Sequence, residues 1–236
     1  MSDYVTIGGV STLDYNALLL DDYIEGAVRD YEVVKVPGRN GDLHIDNGRF
    51  QNRNRTITLY FPNGKADIEA FDAYLQSKAG YVRIESTLNP NIYMMGQYEG
   101  RMRPKRTAWY DSARANFVFD CKPQKFLLTG EEPITVDGTQ VIENETGFDA
   151  YPIIRVTDAG TYTVSGGDIV VTSFDDNYLD IDSELKMVYG TGANTNMAQY
   201  VTLPNNKFPV ISAGTSYTFN SNGNASFTVT PRWYTI

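Results

Sequence analysis

One cysteine and one histidine are all the thiol and imidazole chemistry this chain carries. Cys121 has no second cysteine for an intrachain disulfide, and a cysteine-based metal site lacks its other ligands. This pattern fits folding in a reducing compartment. Runs of about 18 apolar residues are absent, which excludes a membrane-spanning helix. The start of the chain, MSDYVTIGGVSTLDYNALLL, lacks the basic opening of a signal peptide. The expectation is therefore synthesis in a host cytoplasm, with exit only inside a larger assembly. G-x-S-x-G, H-E-x-x-H and catalytic-cysteine patterns are missing too. Positive charge is scarce in the second part. Residues 137–236 hold four Lys+Arg against eleven Asp+Glu, a net −7, whereas residues 1–136 hold sixteen and eighteen, a net −2. A nucleic-acid reader needs a basic face, and this distribution argues against one. The shift near residue 136 also marks a domain boundary, and the reading divides the chain into residues 1–133 and 134–236.

What the chain does have is strand chemistry. Hydrophobic residues make up 42%, enough to bury a core and to exclude a disordered tail. Tyr, Thr and Val are abundant and favour strands. Gly-Gly and Asn-Gly steps recur at Gly8-Gly9, Asn40-Gly41, Asn47-Gly48, Asn63-Gly64, Gly166-Gly167 and Asn222-Gly223, as in a protein built from tight β turns. Glu32–Val36 reads as a strand, and so does Thr56–Phe61, where Ile57, Leu59 and Phe61 alternate with polar partners. One helix is predicted over Lys65–Ala79. Ile68, Phe71 and Leu75 form its stripe, Ala70 and Tyr74 widen it, Lys78 closes the last turn and Gly80 caps it. Strand signals resume at YVRIES, NIYMMGQYEGRMR and ARANFVFDCKP. Beyond TGEEPITVDG come eight short strand-like pieces: PIIRVTD, TYTVSGG, DIVVTSF, YLDIDSE, MVYGTG, FPVISAG, SYTFNSNG and ASFTVTPRW. Their regular spacing suggests a sandwich or jelly roll. The fold class is thus mainly β: an N-terminal β-sheet or sandwich domain with one α-helix, then a C-terminal β-sandwich.

Four stretches invite chemistry. VKVPGRNGDLHIDNGRF (Val34–Phe50) is rich in glycine, but Pro37-Gly38-Arg39-Asn40-Gly41-Asp42 fits no phosphate-loop pattern, and strands flank it. It reads as a tight turn, with Pro37 presetting φ and Asn40-Gly41 taking positive φ. Within it, His44 and Asp46 have the types of a general base and its orienter, yet no nucleophile accompanies them, which favours a surface or structural histidine. FDDNYLDIDSE gathers Asp175, Asp176, Asp180, Asp182 and Glu184. Its spacing is not that of a Ca²⁺ loop, and alternation explains it as a solvated acidic strand edge with Leu179 and Ile181 inward. GRMRPKRTAWYDSAR sets Arg101, Arg103, Lys105, Arg106 and Arg114 around Trp109 and Tyr110. Such a mixture stacks single-stranded nucleic acid or builds a subunit contact, and the near-neutral charge of this half favours the contact. No cofactor is expected.

The order of these pieces resembles the distal tail protein (Dit) family of siphophages, mostly of Gram-positive hosts. The resemblance is carried by Pro37-Gly38-Arg39-Asn40-Gly41-Asp42-Leu43 before Arg55-Thr56-Ile57-Thr58-Leu59-Tyr60-Phe61, then a helix and Gly80-Tyr81-Val82-Arg83-Ile84. A strand ending Cys121-Lys122-Pro123 follows. Later come Ala150-Tyr151-Pro152-Ile153-Ile154-Arg155-Val156, Tyr178–Glu184 and Pro231-Arg232-Trp233. Asn40 stands where Asp is commoner, and Ala213-Gly214-Thr215-Ser216 departs from the family's P-G-x-N. The resemblance implies a structural subunit, not an enzyme, located in the virion at the tail tip. It implies a homohexameric ring formed by the N-terminal domain, with a galectin-like C-terminal sandwich outside it. The implied partners are the tail tube protein, a tail-associated host-contact protein and receptor-binding baseplate proteins. DNA passes the lumen only in transit, and no membrane insertion is involved. The reading places subunit contacts at Pro37, Gly38, Arg39, Asn40, Gly41, Asp42, Arg101, Arg103, Arg106 and Trp109. The alternative is a carbohydrate-binding protein that attaches to the host wall through exposed aromatics of the C-terminal sandwich, with Tyr189, Tyr200 and Trp233 available.

Overall fold

The computed structural model describes residues 2–106, 112–191 and 196–236, with the side chains of 103–106 left aside. It divides into two compact units, Met1–Lys125 with Ile236, and Phe126–Thr235. The first unit contains β1 (Val5–Ile7), β2 (Val10–Ser11), β3 (Leu18–Ile24), β4 (Arg29–Val34), β5 (Leu43–Phe50), β6 (Arg53–Phe61), α1 (Lys65–Gln76), β7 (Val82–Ser86), β8 (Asn89–Arg106) and β9 (Ala113–Cys121). The second contains β10 (Lys125–Leu127, which begins at the boundary), β11 (Ile134–Val136), β12 (Thr139–Glu143), β13 (Ile153–Val156), β14 (Gly160–Val164), β15 (Gly167–Val171), β16 (Leu179–Asp182), β17 (Met187–Tyr189), β18 (Val201–Thr202), β19 (Ser216–Asn220), β20 (Phe227–Thr230) and β21 (Tyr234–Thr235). The mainly β reading holds.

In the first unit, seven antiparallel strands form a sheet in the order β2-β1-β7-β8-β9-β6-β3. Alternation along β6 and β9 decides its two faces. Ile57, Leu59 and Phe61 of β6 and Ala115, Phe117 and Phe119 of β9 are wholly buried. The residues between them, such as Thr56, Thr58, Asn116 and Val118, form the opposite, polar face. α1 covers the apolar face with Ile68, Phe71 and Leu75, the stripe its spacing predicts. Phe71 meets Phe117 edge-on at 5.0 Å between centroids, and Tyr74 Oη donates to Ile7 O at 2.7 Å, tying the helix to β1.

The helix is shorter than its predicted span. It ends at Gln76, with Ser77 as its cap in the right-handed region, so Lys78 and Gly80 lie beyond it. Ala70 is exposed and does not widen the stripe. The acidic first turn is used locally, since Asp67 accepts from Asn16 Nδ2 and Asn63 Nδ2 at 3.2 and 3.0 Å.

The second unit contains two five-stranded sheets, β11-β20-β13-β16-β17 and β12-β19-β14-β15-β18. Ile154, Leu179, Ile181 and Val229 of the first share one core with Tyr162, Val164, Ile169 and Phe219 of the second. Two sheets joined through one apolar layer make a sandwich. Seven of the eight predicted pieces contain a strand. FPVISAG does not: its ladder pairing is the single bridge between Ala150 and Ile211, whose N–H and C=O groups exchange bonds at 2.9 and 3.0 Å. Pro209 lacks the donor a longer ladder needs.

Candidate assembly surface

The ribbon of β4 and β5 is a part of the first unit that stands clear of its core. It forms a separate two-stranded sheet whose residues are nearly all exposed. Glu25 N–H donates to Asn54 O at 3.0 Å, and Gln51 N–H to Val28 O at 2.9 Å. These bonds make the ribbon a continuation of the β3–β6 edge pair. Six residues of strand at about 3.3 Å each carry it roughly 20 Å outward.

Register explains its two faces. Val33 lies opposite His44 and Tyr31 opposite Asp46, while Val34 lies opposite Leu43 and Glu32 opposite Ile45. One face therefore shows Tyr31, Val33 and His44, and the other Val34, Leu43 and Ile45. Five large apolar side chains of this segment are strongly exposed: Tyr31 (42%), Val33 (48%), Val36 (40%), Leu43 (39%) and Ile45 (46%). An isolated two-stranded hairpin is at best marginally stable in water, and its unpaired edges invite another strand. Local contacts stiffen it. Tyr31 and His44 stack at 4.5 Å, Arg29 pairs with Asp46 at 3.0 Å, Arg49 with Asp30 at 2.6 Å, and the Arg29 guanidinium lies 4.8 Å over Phe50.

The sequence's candidate residues spread over three places. Pro37–Asp42 form the tip of the ribbon. Arg39 N–H donates to Val36 O at 3.2 Å, with Pro37 and a positive-φ Gly38 (+79°) between, the arrangement a type II turn requires. Gly41 has φ +83°, but Asn40 does not share the positive φ expected of it. Arg101 lies instead on the open sheet face. It pairs with Glu99 at 3.3 Å and lines a hollow of about 310 Å³ with Glu25, Asn54, Thr56, Asn116 and Val118. Arg103 and Arg106 belong to β8, their side chains lying outside the described residues, as does Trp109.

The partners these side chains take oppose the catalytic and metal readings. His44 is stacked on Tyr31, and Asp46 is engaged by Arg29 and by Gly48 N–H, so they form no base and orienter. The acidic stretch is not a solvated edge. β16 lies inside its sheet, and Asp180 and Asp182 are 3% and 0% exposed. Arg155 clamps Asp180 with two bonds of 2.7 Å, and Arg232 clamps Asp182 at 2.9 and 2.7 Å. Asp182 also accepts from the backbone of Glu184 and Leu185. Burial pushes its carboxyl up, but these donors and the Arg232 charge outweigh burial and hold it below the usual carboxylate range. Asp176 accepts from Thr191 N–H and Oγ1. Tyr189, Tyr200 and Trp233, the sugar-stacking candidates, are half-buried, and Tyr200 and Trp233 pack on the core.

Comparison of the whole architecture with solved structures is decisive for the fold. The SPP1 Dit protein, described as a paradigm of the hub adsorption apparatus in phages infecting Gram-positive bacteria, matches with a TM-score of 0.68 at 13% identity, over 97% of this chain and 98% of that one. The chain has the Dit fold. A chain of the phage P2 baseplate in its activated conformation with Ca matches at TM-score 0.51 and 11% identity, and one with Sr at 0.53 and 11%, each over 99% of both chains. No protein-family model and no curated protein matches the sequence. The Dit fold therefore persists here at an identity where residue-by-residue transfer carries nothing, and the surface must be read from its own chemistry.

Proposed function

We propose that this chain is a structural subunit of a phage tail tip, without enzymatic activity, that closes into a homohexameric ring. The N-terminal part makes the ring. The galectin-like C-terminal sandwich decorates its outside. The ring joins the tail tube to the tail-associated host-contact protein and lets DNA pass through its lumen. The observation that carries the reading is the exposed β4–β5 ribbon on a Dit fold, an apolar arm that its own unit leaves uncovered. A closed ring needs a heterologous contact, one surface meeting a different surface of the next copy. A projecting ribbon with free edges supplies one half of such a contact.

Negative-stain imaging with light scattering tests this. Hexameric rings, or two stacked hexamers, are expected. A monomer at the highest attainable concentration, both alone and mixed with the tail tube protein, overturns the reading.

A further inference from the structure

The second unit contains a small cleft beside Trp233. It measures about 170 Å³ and is lined by Leu127, Thr129, Glu143, Glu145, Thr146 and Trp233. Its walls are built, not incidental. Glu143 and Glu145 are exposed on the same side of the chain, because Asn144 between them turns inward and is only 2% exposed. Asn144 Nδ2 donates to Phe148 O and Ile211 O at 2.9 Å each, and its Oδ1 accepts from Thr146 N–H at 3.0 Å and Thr146 Oγ1 at 2.7 Å. That clamp fixes the wall on which both carboxylates stand. The lining residues Leu127 and Trp233 are equally constrained. Leu127 N–H donates to Trp233 O at 2.9 Å, and Arg232 N–H to Gly130 O at 2.8 Å. A Cβ on Gly130 would fall 2.3 Å from Trp233 N, so only glycine permits this approach.

From this geometry we infer that the cleft receives the cationic head of a lysine or arginine side chain from another protein. Three observations support that occupant. A tryptophan and two glutamates lining one cleft combine residue types that attract an organic cation, since tryptophan is the best cation–π partner and carboxylates supply charge. None of the ion pairs formed by Arg155 and Arg232, the two arginines of residues 137–236, reaches Glu143 or Glu145; they satisfy Asp180, Asp182 and Glu184 instead. Net charge of −7 over residues 137–236 steers basic partners toward this unit. Size narrows the class further. Small-molecule sites run to about 300–1,000 Å³, so this cleft suits a side-chain head better than a whole sugar or nucleotide. The inference does not depend on ring formation.

The chain has two tryptophans, so Trp109→Phe leaves Trp233 as the sole indole reporter. An arginine hexapeptide titrated into that variant is expected to change Trp233 emission saturably and to lose affinity at high salt. Glu143→Gln/Glu145→Gln, both at exposed positions, should weaken the response about tenfold while leaving the melting temperature unchanged. A neutral Gly-Ser peptide and a neutral oligosaccharide should give no response. Equal response to either neutral probe, no response to the arginine peptide, or full response in the double Gln variant overturns the inference.

Discussion

Arg55 donates through Nε and Nη2 to the two carboxylate oxygens of Asp22, each at 2.8 Å, and both side chains are completely buried. Arg55 Nη1 adds a bond to Ile84 O at 3.1 Å, and Asn89 Nδ2 donates to Asp22 at 2.9 Å. One ion pair thus fastens edge strand β3 to β6 and reaches β7 and β8. Removing one partner leaves a buried charge uncompensated, which costs about 3–5 kcal/mol. Arg55→Met should lower the unfolding free energy of the first unit by that amount in urea melts. The double variant Arg55→Met/Asp22→Leu should recover part of it. A cost under about 1 kcal/mol, the level of a surface pair, would contradict this role.

Acid should dissolve both buried clamps in the same window. Burial raises the carboxyl of Asp22, but the hydrogen bonds and charge of Arg55, with bonds from Asn89 and Ser86, outweigh it and hold the group below its usual range. Asp182 behaves alike under Arg232. Because the folded value lies below the unfolded one, the stabilisation is complete above about pH 4 and fades as pH falls through the unfolded value toward the folded one. Melting temperature should therefore fall steeply below about pH 4. Asp182→Asn should lower it at neutral pH and flatten the acid slope. An unchanged slope would show that other groups govern acid unfolding.

Cys121 offers a direct reading of the first core. It is wholly buried, with Ile84 and Phe119 close by around Gly96, and burial pushes its thiol up to about 12. The thiolate is the reactive form, so a disulfide reagent should leave the native protein unlabelled at mildly alkaline pH. Labelling should follow opening of the unit and accelerate in Ile57→Ala, a cavity variant expected to cost about 2–5 kcal/mol. Rapid labelling of the native chain would mean that this core is open.

These clamps mark the boundary of what the sequence discloses. Period-two alternation places Ile57, Leu59 and Phe61 inside, and Arg55 is in phase with them. That phase is a signal of a buried arginine, although it does not say that Asp22 is its partner. In the second unit the alternation puts Asp180 and Asp182 opposite the core correctly, but solvent is not what meets them. Their partners Arg155 and Arg232 stand 25 and 50 residues away, and no local rule links them. The fold-level pattern was readable because strand period and turn residues are local. The pairing of charges was not, because it is fixed by sheet order. The ribbon falls between these cases. Its strands and turn were readable, whereas its projection beyond the core depends on where the β3–β6 pair ends.

That projection separates folding from assembly. Leu43 and Ile45 share one face of the ribbon, are 39% and 46% exposed, and contribute nothing to either core cluster. Leu43→Asp/Ile45→Asp should leave thermal stability within about 0.5 kcal/mol of the parent, as surface substitutions do. It should abolish ring formation, because the charges must then be buried without partners at the contact. Gly38→Val and Gly41→Val act on the same arm differently. Neither meets an atom within 4 Å, so their cost is the strain of positive φ at a β-branched residue, confined to the tip. They should misdirect the ribbon and weaken rings without lowering the main unfolding transition. Calorimetry beside negative-stain imaging reads the two effects separately. Intact rings in the Leu43→Asp/Ile45→Asp variant would remove the ribbon from the subunit contact, whereas loss of the main transition would show that the ribbon belongs to the folding core.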